Sequence, residues 1–385
     1  MFFSVVAHSE DIDEAEALRE LIDQCTEELV GRAPHAAMMF AGHERDHTVL
    51  LNGICDRWPG IALIGCTTDG ELSSRVGLRL DSVALVLFGS DRIEFTAGIG
   101  HGLSKDVVGA CERAVDAAAR QSTKAAAICL TLPESLTASG QAVVEALNEK
   151  LGGHTPVFGA TSGDGYVLKR TFQFFGREVF EDSVPVLLFS GPLVFSAASA
   201  SGWEPMGEPG TVTRSENTVV HEIDGQSAAQ FYQRFLGTGA IATPEFPLAI
   251  LDADGGVESL RTPIGPHPTE KGAIVFFSEV RQGVTVQISS ADRSAILDGC
   301  NKSIRKAFAN YPHGKTPDVA LVFSCSCRRL LLGTRTEEEC AVVESVLGGI
   351  PVIGFYGYGE IAPTGSSGGV SKYHNETFVS LIMGT

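Results

Sequence analysis

One order of elements, written more than once, constrains this chain of 385 residues more than any other feature. Asp11–Val30 has a helical period, apolar at Ile12, Ala15, Leu18, Ile22, Cys25 and Leu29, with Asp11 and Glu14 spaced as a capping box. HAAMMFAG (His35–Gly42) then reads as a strand and Asp46–Arg57 as a helix. IALIGC is a buried strand ending in a Gly-Glu loop, and SVALVLF and IEFTAGIG close the unit as strands. The order returns as helix Lys105–Arg120, strand AAAICL, helix Ala138–Leu151, strand and loop PVFGATSGDG, and strands DSVPVLLF and LVFSAASAS. It recurs as helix Ala291–Asn310, strand DVALVFS, helix Thr336–Leu347, strand and loop PVIGFYGYGE, and final strand ETFVSLIM.

A weaker fourth copy is expected between these, from strand TVVHEIDG, helix Gln226–Leu236, strand FPLAILDAD, and strands AIVFFSEV and VTVQISS around a hairpin at Arg281-Gln282-Gly283. Helices alternating with strands, plus hairpin-like strand pairs, predict an α/β fold of mixed layered sheets. About four related modules are expected in two domains, 1–202 and 203–385, meeting at the Gly-, Pro- and Ser-rich stretch Ser201–Asn217.

A formal net charge of −18 repels phosphate backbones and anionic lipid, so neither nucleic acid nor a membrane surface is an expected partner. No apolar run nears the ~18 residues that span a bilayer, so no membrane insertion is expected. MFFSVVAHSEDIDEAEA lacks a basic n-region and does not read as a signal peptide. Nine cysteines stand singly apart from Cys325 and Cys327, which points to a reducing compartment, the cytoplasm.

HERDH (His43–His47) matches the zinc-protease pattern, but His43 directly follows a strand, so catalytic zinc is not expected there. GYGEIA (Gly357–Ala362) matches a dinucleotide fingerprint, yet Pro363 and the run GSSGG follow at once and exclude the helix that pyrophosphate needs. CSCRR (Cys325–Arg329) ends a strand, where polar groups of α/β sites collect; two cysteines alone are too few for a metal, and Arg328 would favour thiolate. YHNE (Tyr373–Glu376) opens the last strand.

In this order these motifs resemble the FIST proteins over almost the whole chain. PGIALIGCTTDGEL and DSVALVLF are similar to the FIST N domain. VVHEIDGQSAAQFYQRFLG, FPLAI, LRTPIG, FSCSCRRLLLG, PVIGFYGYGEIAP and YHNETFVSLIM are similar to the FIST C domain. The resemblance marks Asp224, Gly225 and Tyr232; Cys325, Arg328 and Gly333; Gly354, Gly357, Gly359 and Glu360; and His374 and Asn375, with Cys327 standing where a small residue fits the pattern better. It implies a small-ligand sensor regulating a separate signalling protein, such as a histidine kinase or a cyclic-di-GMP enzyme. One similar bacterial subgroup senses nitric oxide through haem. An F-box, as in eukaryotic relatives, is not expected before Asp11.

The ligand site is expected in the C-terminal half, where CSCRR, GFYGYGE and YHN converge. Cys325, His374 and Asn375 belong to it, Arg328 takes an anionic group, and Tyr356 and Tyr358 supply aromatic walls. Gly357 and Gly359 let the backbone approach, and Glu360 pairs with Arg328 or meets an amino group. Haem is the cofactor in the narrower version, with His374 as candidate axial ligand. The alternative is an enzyme acting through Cys325 or Glu360. In the sensor reading, output lies on another chain or in an oligomer.

Overall fold

The computed structural model describes residues 2–363 and 369–385. Most of the GSSGG run lies outside them. The first copy runs β1 (Phe2–Ser9), α1 (Glu14–Leu29), β2 (Ala36–Gly42), α2 (His47–Arg57), β3 (Ala62–Thr68), β4 (Glu71–Ser73), β5 (Gly77–Arg79) and β6 (Val83–Ser90). The second repeats it as β7 (Glu94–His101), α3 (Val107–Ala119), β8 (Ala126–Thr131), α4 (Gly140–Lys150), β9 (Val157–Ala160), β10 (Gln173–Phe175), β11 (Glu178–Phe180) and β12 (Ser183–Ser190). The third opens on β13 (Val194–Ala200), and an insertion follows at once. That insertion holds β14 (Glu204–Glu216), β15 (Val219–Ile223), β16 (Gln226–Ser227), α5 (Ala228–Leu236), β17 (Leu248–Leu251), β18 (Val257–Arg261), β19 (Pro263–Pro266), β20 (Ile274–Phe276) and β21 (Thr285–Ser290). The third copy then resumes as α6 (Arg293–Asn310), β22 (Pro317–Cys325), α7 (Ser326–Leu332), α8 (Glu337–Leu347), β23 (Val352–Gly357), β24 (Glu360–Pro363), β25 (Ser371–His374) and β26 (Phe378–Gly384).

Helix starts follow local chemistry. Asp13, Asp46, Asp106, Ser139 and Asp292 each turn a side-chain oxygen onto the free N–H groups of the first turn. The cap of α1 is thus Asp13, two residues beyond the expected Asp11.

Each copy donates a short hairpin to another. The first sheet runs β1-β6-β2-β3 and continues into β10-β11; the second runs β7-β12-β8-β9 and continues into β24-β25; the third runs β13-β26-β22-β23 and continues into β4-β5. The exchange closes a ring. In each sheet one pair is parallel, β2 with β3, β8 with β9, and β22 with β23. Inner faces of the three sheets meet in one core that includes Phe2, Phe40, Phe88, Phe158, Phe189, Phe323 and Phe355. The helices cover the outer faces as separate clusters. The glycine of each strand phrase has one cause: a Cβ on Gly65, Gly159 or Gly354 would lie 2.3, 1.9 or 1.8 Å from the carbonyl oxygen of Met39, Thr131 or Val322 on the parallel neighbour.

The architecture is mixed α/β, with four sheets for the four expected modules, but only three share a design. The segment expected as the weaker fourth copy pairs its strands antiparallel throughout and carries one helix. Its Asp224-Gly225 motif is a turn: Asp224 sits at φ 53° and accepts from the Thr211 N–H, while Tyr232 is buried and donates to the Phe246 carbonyl. Strand pairing also crosses residue 202, since β13 lies against β26 and the β4-β5 hairpin against β23. Among the described residues no helix is long and apolar enough to cross a membrane.

Candidate functional site

All three copies build the same corner where the last strand begins. The N–H groups of Gly42, Glu134 and Cys325 donate to the carbonyls of Ser82, Ser183 and Thr377, at 3.0, 3.0 and 3.1 Å. Just before those acceptors stand Asp81, Asp182 and Glu376, all left-handed at φ 55°, 49° and 59°. The first residue of each exchanged hairpin then holds the corner's hydroxyl. Glu71 accepts from Ser82 Oγ at 2.6 Å, Gln173 from Ser183 Oγ at 3.1 Å and Glu360 from Thr377 Oγ1 at 2.7 Å.

Three residues after Gly42 and Cys325 come Arg45 and Arg328, and both clamp the corner. Arg45 Nη1 donates to the Asp81 carbonyl at 3.3 Å and Arg328 Nη1 to the Glu376 carbonyl at 3.5 Å. Arg328 is wholly buried, with Nη2 2.5 Å from Glu339 Oε1 and 2.9 Å from the Ile296 carbonyl. Glu339 in turn accepts from the Tyr356 hydroxyl and from Ser324. The partner of Arg328 is therefore Glu339 and not Glu360. Glu360 is held by Thr377, and burial, opposed by those Thr377 bonds, pushes its carboxyl well above the ordinary range.

The third corner differs in what surrounds it. A narrow cleft of about 10 Å³ opens there, lined by Cys325, Ser326 and Cys327 where β22 meets α7, Gly357 and Tyr358 at the end of β23, and Asn375. Tyr166 from the second copy and Thr262 and Phe277 from the insertion complete it. As it stands this is room for about one water, far below the roughly 300–1,000 Å³ of drug-sized sites, so a larger ligand enters only if Tyr166 or the insertion moves aside. Tyr358 donates to Asp164 Oδ1 at 2.5 Å and accepts from the Tyr166 N–H, so its ring is fixed across two copies. Asn375 accepts from Ser278 Oγ of the insertion at 2.7 Å.

Cys325 Sγ, Cys327 Sγ and a Glu376 carboxylate oxygen all lie within 4.8 Å of one another. The Tyr166 hydroxyl stands 2.8 Å from Cys327 Sγ, and Glu376 Oε1 accepts from Thr262 Oγ1 at 2.8 Å. Glu376 Oε2 is buried without a hydrogen-bond partner among the described residues. Burial raises Glu376 to about 7 against the Thr262 bond and the Arg328 charge, and it pushes the Cys325 thiol well above its ordinary value. Contact with Cys325 pulls Cys327 down, but burial and Glu376 outweigh it and the thiol still titrates high.

Of the residues expected from sequence, Cys325, Gly357, Tyr358 and Asn375 line this cleft. Arg328, Tyr356, Gly359, Glu360 and His374 face other parts of the protein. Gly357 and Gly359 admit the protein's own atoms, because a Cβ there would lie 2.3 Å from the Thr161 carbonyl oxygen and 2.0 Å from the Tyr373 hydroxyl. Sequence reading missed Tyr166, Thr262, Phe277 and the Glu376 carboxylate. Only Glu376 had a signal, since it precedes Thr-Phe as Asp81 and Asp182 precede Ser-Val. In HERDH, His47 is the first residue of α2 and bonds the Gly42 carbonyl, whereas His43 precedes the helix and stacks on Phe172, so the two do not share a helix face.

The FIST N domain model matches residues 35–226 and the FIST C domain model residues 228–363. The chain belongs to the FIST family. FIST domains are sensor domains of signal transduction that take small ligands. An uncharacterized protein of Mycobacterium tuberculosis is 28% identical over 369 residues, which is 91% of this chain and 92% of the relative. One of Mycobacterium bovis is 25% identical over 366 residues, with the same shares of each chain. Among solved structures, a cyanuric acid hydrolase from A. caulinodans aligns over 99% of both chains at 7% identity, with a TM-score of 0.39, too distant to bear on function.

Proposed function

We propose that this FIST protein senses a small polar molecule in the cleft of the third corner and passes the signal to a separate protein, such as a histidine kinase or a cyclic-di-GMP enzyme. One observation carries the reading: the third copy alone has an insertion between its first strand and first helix, and that insertion supplies Thr262, Phe277 and Ser278 to the cleft and its Asn375. A ligand there touches the second copy, the third copy and the insertion together. It can therefore shift their balance, which is how a ligand passes a signal on to another protein. Nine free, buried cysteines suit a reducing cytoplasm.

A haem-based nitric-oxide sensor is the narrower version, and His374 does not fit the iron. Its Nε2 donates to the Ala362 carbonyl at 3.1 Å, so only Nδ1 is left to meet a metal. The ring is buried and lines no part of the cleft. Burial lowers its pKa to about 4, so the ring stays neutral. Against an enzyme acting through Cys325 or Glu360 stand the high-titrating thiol and the corner role that Glu360 shares with Glu71 and Gln173.

The test is a thermal-shift screen of the whole protein against amino acids, other small polar metabolites and haem. A hit that raises the midpoint and is lost in Asn375→Ala supports the reading. Hits that survive both Asn375→Ala and Phe277→Ala would place the ligand elsewhere and overturn it.

A further inference from the structure

We propose that Cys325, Cys327 and Glu376 form a site for one thiophilic divalent cation, with zinc as the probe. The proposal deepens the sensory reading by naming the class of species held at the base of the same cleft, and it rests on that reading only for its role in signalling.

The donor set comes first. Two thiols and a carboxylate are a ligand combination suited to zinc, and tetrahedral bonds of about 2.0–2.3 Å place such donors roughly 3.3–3.8 Å apart. Here the three donors already lie within 4.8 Å of one another, so side-chain adjustments of about an ångström close the shell. Cys325 and Cys327 sit at the junction of β22 and α7, and Glu376 is held at the left-handed corner that the backbone builds in every copy. The backbone therefore positions the donors before any ion arrives.

Next, one donor atom is left over. Glu376 Oε2 is buried and has no hydrogen-bond partner among the described residues. The Cys327 thiol is the polar group that faces this carboxyl, and a weak S–H donor leaves a buried carboxylate oxygen poorly served unless something else fills its shell. Its sister oxygen is oriented by Thr262, and Cys327 Sγ by the Tyr166 hydroxyl. Both are outer-layer contacts of the kind that aim metal ligands. A water can take the fourth position, on the cleft side.

Finally, the donors offset most of the ion's charge. On binding, each thiol gives its proton to solvent and each sulfur donates an electron pair to the cation, with no oxidation or reduction. Two thiolates and a carboxylate around a divalent ion leave one net negative charge. The buried Arg328 guanidinium, which donates to the Glu376 carbonyl at 3.5 Å, lies beside it and, although paired with Glu339, softens that remaining charge. The equivalent positions in the first copy are Gly42, Glu44 and Asp81, two of them exposed, and in the second Glu134, Leu136 and Asp182, so neither repeats the donor set.

The experiment uses the full chain, reduced and stripped with a chelator, then titrated with zinc and, for its thiolate charge-transfer band, with cobalt(II). One equivalent is expected, with the cobalt band present. Cys327→Ala and Glu376→Gln should each weaken binding at least about tenfold while circular dichroism stays native. Cys300→Ser, at a buried thiol elsewhere, should bind as the wild type does. Zinc uptake below a tenth of an equivalent overturns the proposal, as does unchanged affinity in either site variant or a Cys325–Cys327 disulfide in protein purified under reducing conditions. If Cys327→Ala does not fold, Glu376→Gln decides alone. Stoichiometric zinc in a protein that responds to no small molecule would leave the site standing and sink the sensory reading. A small-molecule response without zinc binding would do the reverse.

Discussion

The first and third corners share a backbone and differ in everything laid over it. At the first, Asp81 and Glu44 are exposed and Arg45 reaches Glu14, whose side chain keeps 18% of its exposure. At the third, Glu376 is buried beside two thiols, and Arg328 pairs with Glu339 at 0% exposure on both sides. The insertion is what changed the setting, because its Thr262 and Phe277 stand where the first copy meets water. A repeated corner keeps the fold; a repeated corner that is roofed, with thiols in two of its positions, becomes a place for chemistry.

That comparison can be broken most sharply at the arginines. Glu339→Ala strands a buried guanidinium and should cost about 3–5 kcal/mol in urea unfolding. Glu14→Ala, at the half-open pair, should cost less, about 1–2 kcal/mol. Equal losses would mean that the two corners are energetically alike.

Glu71→Gln comes next, since the second copy already uses Gln173 at that position. Burial, opposed by bonds from Ser82 and Thr68, raises Glu71 from 4.5 to about 7. A folded-state pKa above the unfolded one means stability that is fully present below about pH 4.5 and lost as pH rises through about 7. Glu71→Gln should therefore flatten the stability profile between those values and leave the protein about 2–3 kcal/mol more stable at pH 8. A variant with the wild-type pH profile would show that Glu71 is not the group that titrates.

The smallest effect belongs to the exposed corner residue. Asp81→Gly suits the left-handed backbone and removes no buried contact, so its stability should stay within about 1 kcal/mol of wild type. Its zinc affinity should not change. A drop in zinc binding would mean that the first corner takes part in the site.

Much of the fold was legible because long elements carry a period. The α1, α3, α6 and α8 helices and the parallel pairs stand close to where apolar spacing put them. The hairpin exchange was not, because Glu71–Ser73, Gln173–Phe175 and Glu360–Pro363 are too short for a period and pair with another copy. At the site, Cys325, Tyr358 and Asn375 stood out as polar or aromatic residues at strand ends. Arg328 and Glu360 drew a functional reading because charged motif residues look like ligand contacts. The correction was already in the sequence: Arg45 follows Gly42 by three residues as Arg328 follows Cys325, and Glu71 follows Gly70 as Glu360 follows Gly359. Tyr166, Thr262 and Phe277 come from distant loops, and no spacing announces them.

The account's central claim is that the third corner is a site and the first only a corner. Giving the third corner the first corner's residues, Cys325→Gly with Glu376→Asp, tests it directly. Thermal melting of this variant and of wild type is compared with and without one equivalent of zinc. The account predicts that wild type melts higher with zinc, whereas the variant melts cooperatively and at the same temperature with or without it. A zinc shift in the variant as large as in wild type, or none in wild type, would contradict it.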